Sequence, residues 1–150
     1  MSPTDNASII VCPHCGKKNR VHAAAAGAPH CGSCGKSLPW LAESDEQTFS
    51  SVVEQSPLPV LVDFWAPWCG PCRMVEPVVR QMAQELAGSL KVVRVNSDDV
   101  PELSQRFQIV GIPALLLFDR GQLRDRMTGA VPAATMRSWL QARLPAPKPS

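Results

Sequence analysis

The sequence predicts an α/β protein, a mixed central sheet flanked by helices on both faces, preceded by a small cysteine-rich module. Two observations carry this prediction. From about Ser44 onward strand and helix periods alternate, whereas residues 9–37 hold four cysteines, several Gly and Lys, and no sustained apolar period. A segment of the second kind cannot bury enough surface to fold unaided, so something must staple it. At 150 residues and 45% apolar content, the chain has room for one domain of ordinary size and an appendage. The expected organisation is a module over 1–40 with a flexible start, a main domain over 41–145, and a Pro-rich, disordered tail over 146–150.

The elements of the main domain follow in order. Ser44 and Gln47 form a capping box that opens a short helix with Phe49, Val52 and Val53 on its apolar face, and Ser56-Pro57 stops it. Val60 to Ala66 is a nearly continuous apolar run, the mark of a strand covered on both faces. The helix after the Cys69–Cys72 turn keeps Val75, Val78, Val79, Met82 and Leu86 at a 3.6 period, with Pro77 as a kink and Gly88 as a C-cap. Lys91 to Asn96 is a second, Val-rich strand. Asp98 or Asp99 caps a short helix with Pro101 in its first turn and Leu103 and Phe107 on one face. Pro113 to Phe118 is a third apolar strand, which the turn at Gly121 joins to a more polar edge strand, Leu123 to Thr128. A last helix sets Met136, Trp139, Leu140 and Leu144 on one side before Pro145 ends it. No internal repeat is present.

A net charge of +2 is too small to make nucleic acid or an anionic membrane the main partner. Met1 to Ser8 carry no Lys or Arg, and Ile9-Ile10-Val11 is the only apolar run before Cys12. No secretory leader or membrane span is expected, and the cytosol is the expected compartment. Six cysteines in a reducing compartment rarely make a structural disulfide framework. Here all six fall into three C-x-x-C pairs, Cys12/Cys15, Cys31/Cys34 and Cys69/Cys72, which points to metal or redox chemistry.

Cys69-Gly70-Pro71-Cys72 sits where an apolar strand hands over to a helix. Free N–H groups and the helix dipole at that N-terminus stabilise an anion, so the Cys69 thiol pKa should fall and its thiolate should be the nucleophile. Cys72, three residues on and turned inward, can resolve a mixed disulfide formed on Cys69. Gly70 and Pro71 let the turn close and start the helix without wasting an N–H. The competing reading, half of a metal site, lacks a partner pair once the other four cysteines are used. Asp63, inside Val60-Leu61-Val62-Asp63-Phe64-Trp65, would be expensive to bury and could relay the proton released when Cys72 attacks. Its alternative is an aspartate at a solvated edge or hydrogen-bonded to backbone. Pro113 opens a strand, where a trans proline is the ordinary case.

Cys12-Pro13-His14-Cys15 and Cys31-Gly32-Ser33-Cys34 are separated by fifteen residues, which fits the C-x₂-C-x₁₅₋₂₀-C-x₂-C spacing of a structural zinc site. One Zn²⁺ on Cys12, Cys15, Cys31 and Cys34 would carry a net −2, which Lys17, Lys18, Arg20 and Lys36 could offset. Those cations could instead face nucleic acid, but they are few and lack interleaved aromatics. His14, His22 and His30 would be ligands only if a cysteine dropped out. Two C-x-x-C disulfides in place of zinc are disfavoured in a reducing compartment.

Val60 to Pro77, VLVDFWAPWCGPCRMVEP, resembles the active-site segment of thioredoxins. Gly111-Ile112-Pro113 and Thr128-Gly129-Ala130 match later family positions in the same order. The resemblance covers about Ser44 to Leu144. It implies the thioredoxin fold, with Cys69 as attacking thiol, Cys72 as resolving thiol, a redox-active Cys69–Cys72 disulfide and Asp63 as buried acid. It makes Pro113 a cis proline beside the disulfide, and Trp68, Gly70, Pro71, Ile112 and Gly129 the docking surface for an extended substrate segment. The implied activity is general reduction of disulfide-containing proteins, by a monomer that thioredoxin reductase recycles with NADPH. Gly-Pro between the cysteines favours the reducing end of the family, where thioredoxin lies at about −270 mV. Two positions depart from the pattern: Arg94 stands where a Lys is frequent, and Pro67 where an acidic or polar residue is common. Arg94 can anchor Asp63 but cannot shuttle a proton. A zinc ribbon fused ahead of such a domain is similar to the bacterial thioredoxin 2 type. The rival from another class is a zinc-dependent redox sensor or binding module, in which the ribbon governs partner docking.

Overall fold

The computed structural model describes residues 7–145, so the tail at 146–150 and the first six residues lie outside the described residues. Among the described residues there are seven strands: β1 (Ala7–Val11), β2 (Lys18–His22), β3 (Trp40–Glu43), β4 (Val60–Trp65), β5 (Lys91–Asn96), β6 (Ala114–Asp119) and β7 (Gln122–Thr128). Three α-helices accompany them: α1 (Gly70–Glu85), α2 (Pro101–Arg106) and α3 (Ala133–Arg143). β1 and β2 form an antiparallel hairpin, and the other five make one sheet in the order β3-β5-β4-β6-β7. β3, β5 and β4 run parallel, whereas β6 and β7 are antiparallel to their neighbours.

The apolar run of β4 explains its central place. Alternate residues feed two separate cores. Val62 and Phe64 join Val93, Val95, Leu103, Phe107, Leu116 and Phe118 on one face. Leu61 joins Val75, Val79, Met82, Leu115 and Trp139 under α1 and α3 on the other. Phe49, Phe107 and Phe118 close the first core, with ring centroids 5.3 to 5.8 Å apart. Period 2 puts Asp63 on the Leu61 face, toward α1.

Three local expectations are corrected. The short helix is a π-helical turn, Ser50–Glu54, in which the Gln55 N–H reaches Ser50 O at 2.9 Å. Its approach is capped by Asp45, whose Oδ1 accepts from the N–H groups of Gln47 and Thr48 at 3.0 Å, while the Ser44 hydroxyl pairs with Thr48. Neither Asp98 nor Asp99 caps α2: Val100 holds that position, and the N–H of Glu102 is met by the Glu46 carboxylate at 2.6 Å. The third is β3 itself, an edge strand for which the sequence reading has no element.

The N-terminal module packs onto that edge. Trp40 and Leu38 are buried with Ile10, Val21, Cys12 and Cys31 in one apolar cluster, so the module and the sheet share Trp40. On the same face as Trp40, its register partner, the fully buried Lys91 extends from β5 to donate to the Ala23 and Val52 carbonyls, with its ammonium 4.2 Å from the Trp40 ring centroid. Burial pulls its pKa down to about 8.

Candidate active site and metal centre

The N-terminus of α1 builds the reactive centre. Cys69 is the N-cap with extended backbone (φ −89°, ψ 109°), its Sγ accepts the Cys72 N–H at 3.2 Å, and Pro71 lies in the first turn. The two cysteines form a disulfide with Cα atoms 5.3 Å apart. Both are buried, Cys69 at 5% exposure and Cys72 at 1%, so the first sulfur is the one nearer the surface. Across from it the Ile112–Pro113 peptide bond is cis, and Cys69 Sγ lies 3.8 Å from Ile112 O. The Gly129 N–H donates to Pro113 O at 2.9 Å, which brings the start of α3's loop against the same corner. Trp68 is 70% exposed and held by its indole N–H, 3.0 and 3.2 Å from the two Asp98 carboxylate oxygens. Ile112 packs against both cysteines, and Gly129, distant in sequence, is tied to the neighbouring Pro113. Pro67 turns its carbonyl to Arg73 Nη2 at 2.8 Å.

Asp63 is fully buried, so the alternative of a solvated edge does not hold. Its Oδ2 faces Arg94 Nε at 3.4 Å, and among the described residues its Oδ1 has no hydrogen-bond partner. Burial raises its pKa to about 6, Arg94 working against the rise and Glu76 adding to it. The β4–β5 register sets Asp63 directly opposite Arg94. Arg94 stacks on Trp65 at 4.3 Å and reaches Glu76 at 3.7 Å. A cavity of about 120 Å³ is lined by Cys72, Glu76 and Arg94 among others, so Arg94 joins the buried acid to the space beside the second cysteine. The sequence puts Asp98 at a helix cap and gives Glu76 no role, so neither is expected at this site. Asp98 gave no signal across thirty residues, whereas Glu76 lies four positions after Cys72 on one helix face and could have been found.

The four remaining cysteines converge. Their Sγ atoms all lie within 4.8 Å of one another, with Cys12–Cys34 at 3.6 Å and Cys15–Cys31 at 3.5 Å. Four thiolates about 2.3 Å from a zinc ion would stand about 3.8 Å apart, so the donor set fits a tetrahedral ion. Both of these approaches cross from one C-x-x-C pair to the other. Each pair sits in the same turn: Gly16 N–H to Cys12 O and Gly35 N–H to Cys31 O, both 2.9 Å. Gly16 and Gly35 have φ of +79° and +78°, a left-handed backbone that favours glycine. The N–H groups of Cys34 and Ser33 draw the Cys31 thiol down to about 6. Among the described residues no histidine joins the group.

Asn19 ties the two turns together. Its Oδ1 accepts the Gly32 N–H at 3.0 Å, and its Nδ2 donates to Lys17 O at 3.0 Å and lies 3.6 Å from Cys31 Sγ. Asn19→Ala is expected to weaken zinc retention about 10- to 100-fold, as loss of a ligand-orienting group does. Competition with a chromogenic chelator measures this, and an affinity within twofold of the parent would count against the role.

Residues 40–142 match the family model described as Thioredoxin. The chain belongs to the thioredoxin family. It is 48% identical over 103 residues to "Thioredoxin 1" of Nostoc sp., covering 69% of this chain and 96% of that protein. It is 54% identical over 91 residues to "Thioredoxin 1" of Chlorobaculum tepidum, covering 61% of this chain and 90% of that protein. With "Thioredoxin" of Pyropia yezoensis it shares 50% over 95 residues, 63% of this chain and 89% of that protein. The thioredoxin fold expected from sequence is therefore borne out, and with it a thiol–disulfide oxidoreductase of the protein-disulfide reductase type. The four-cysteine cluster lies ahead of the matched thioredoxin segment and is consistent with a zinc ribbon. Among the described residues no helix is long and apolar enough to cross a membrane.

Proposed function

We propose that this thioredoxin is a general reductant of protein disulfides, with Cys69 attacking, Cys72 resolving and thioredoxin reductase restoring the dithiol. The observation that supports this most directly is the Cys69–Cys72 disulfide at the N-terminus of α1, where Cys69 Sγ already accepts a backbone N–H. A thiolate on Cys69 attacks one substrate sulfur, and the substrate S–S electron pair leaves on the other sulfur, which takes up a proton. Cys72 then gives up its proton as its sulfur attacks Cys69. The Cys69–substrate bond breaks, and the second substrate thiol departs, leaving the Cys69–Cys72 disulfide. Asp63, kept protonatable near neutrality by burial, is the acceptor for the Cys72 proton. Trp68, Gly70, Pro71, Ile112, Pro113 and Gly129 form the surface on which an extended substrate segment lies.

Residues 1–40 form a zinc ribbon and 41–145 the thioredoxin domain, the whole acting as a monomer in the cytosol, where a reductant is useful. Cys12, Cys15, Cys31 and Cys34 would hold one Zn²⁺, which supplies a structural cross-link and no redox chemistry of its own. A second reading, the ribbon as a redox sensor, is favoured by one feature: Cys15 and Cys34 are exposed and open to oxidants.

NADPH-driven reduction of insulin by thioredoxin reductase and this protein, before and after zinc is stripped, separates the two. Turnover in both forms is the expected result. No turnover in the zinc-loaded form would overturn the reductase reading, and turnover that changes on zinc loss would make the ribbon a regulator.

A further inference from the structure

The proton that Cys72 releases has no evident way out through Asp63 alone. Asp63 is fully buried, and the cation beside it, Arg94, stays protonated at every working pH and cannot carry a proton onward. The cavity that Cys72 borders reaches a partly exposed residue, Glu76. Cys72 and Glu76 stand at i and i+4 on α1, and both border the same space of about 120 Å³. At about 30 Å³ per water, that volume takes a short chain of water, with polar groups along its wall to hold it. Glu76 is 34% exposed at its side chain, so it meets this inner space and bulk solvent at once. Two cations hold it there, Arg80 at 2.9 Å and Arg94 at 3.7 Å. Arg73, the remaining charged group on the cavity wall, is turned to the Pro67 carbonyl.

We propose that Glu76, held by Arg80 and Arg94, is the relay carboxylate through which the buried Cys72 side of the active site exchanges protons with solvent. When the Cys72 sulfur forms its bond to Cys69, the released proton enters the cavity that Cys72 borders. Glu76 then takes the excess proton across the cavity and gives it to bulk water. On reduction of the disulfide the same path runs backward and returns a proton to the leaving Cys72 thiolate. No oxidant or reductant beyond the dithiol and its substrate is involved. An arginine in place of a lysine at position 94 makes this second carboxylate useful, because the cation that grips Asp63 has no proton to lend.

The inference rests on the reading of Cys72 as resolving thiol, so the experiment follows that step alone. The full-length zinc-loaded protein is joined through Cys69 to a chromogenic thiol, and release of that thiol by Cys72 is timed across pH, with and without added formate. Release by the parent establishes the resolving role; its absence would sink that reading and this one with it. Glu76→Gln, which keeps the size and the hydrogen bond from Arg80, is expected to slow release on the order of tenfold, less than the 10²–10⁴ of a group touching the reacting atom. Formate should restore the rate in this variant and leave the parent unaffected, and Glu76→Asp should recover most of it. A Glu76→Gln rate equal to the parent's overturns the relay. So does a mere shift of the pH profile with no formate rescue, because that is what loss of the Glu76 charge beside Asp63 does by itself.

Discussion

Cys69→Ser will abolish reduction of insulin disulfides, with turnover falling by more than about 10³-fold, since the nucleophile is lost and the residual comes from binding alone. Cys72→Ser will behave differently. Cys69 keeps its place at the N-cap of α1 and still attacks, but nothing cleaves the mixed disulfide that results, so partners accumulate as covalent adducts. The asymmetry follows from position, because Cys69 is the sulfur nearer the surface and Cys72 is at 1% exposure behind it. Non-reducing gels and intact-mass measurement after incubation with oxidised protein read both outcomes. Adducts on the Cys69→Ser variant in place of the Cys72→Ser variant would reverse the assignment.

Asp63→Asn will stabilise the protein near pH 8 and slow resolution of the mixed disulfide. The pKa of Asp63 is raised by burial from 3.8 to about 6 in the folded chain. Between those values the folded state holds a proton that the unfolded chain has already released, so stability falls as pH rises through the window. Above about pH 6 the whole cost is present, on the order of 2 to 3 kcal/mol. Below 3.8 both states are protonated and the cost is gone. Asparagine removes the charge, so denaturant midpoints of parent and variant should separate near pH 8 and converge near pH 4. Arg94 loses its carboxylate partner but keeps Glu76 and the Trp65 ring, which limits the offset. Equal midpoints near pH 8 would show that Asp63 is not held as a buried charge. An unchanged rate of resolution would remove its acid–base role.

The parts of this molecule that could be read from sequence are those that obey a local period or a spacing rule. β4, α1, β5 and α3 announce themselves through apolar periodicity, and the three C-x-x-C pairs through their spacing. What escaped depends on which of two adjacent residues wins, or on contacts across the sheet. Ser44 and Asp45 are both able to cap, and only the backbone path gives Asp45 the N–H groups. β3 is four residues long and bonded on one side only, too short to show alternation. Lys91 looks like the polar flank of a strand, yet it is fully buried, because its acceptors Ala23 and Val52 arrive from 68 and 39 residues away. Arg94 was legible as a departure from the family pattern and Glu76 by its i+4 spacing to Cys72, but their pairing depends on how β5 and α1 face each other.

The Lys91 contact bears on how the chain can be divided. Its compositional seam near residue 40 invites an engineer to trim there, but the ammonium that β5 buries takes one of its two acceptors from the N-terminal side of that seam. Excision would leave a charge inside the surviving fragment short of a carbonyl and uncover the Trp40 ring that lies over it. Such a fragment keeps only the Val52 carbonyl for that ammonium, so an apolar residue at position 91 should suit it better than the lysine does.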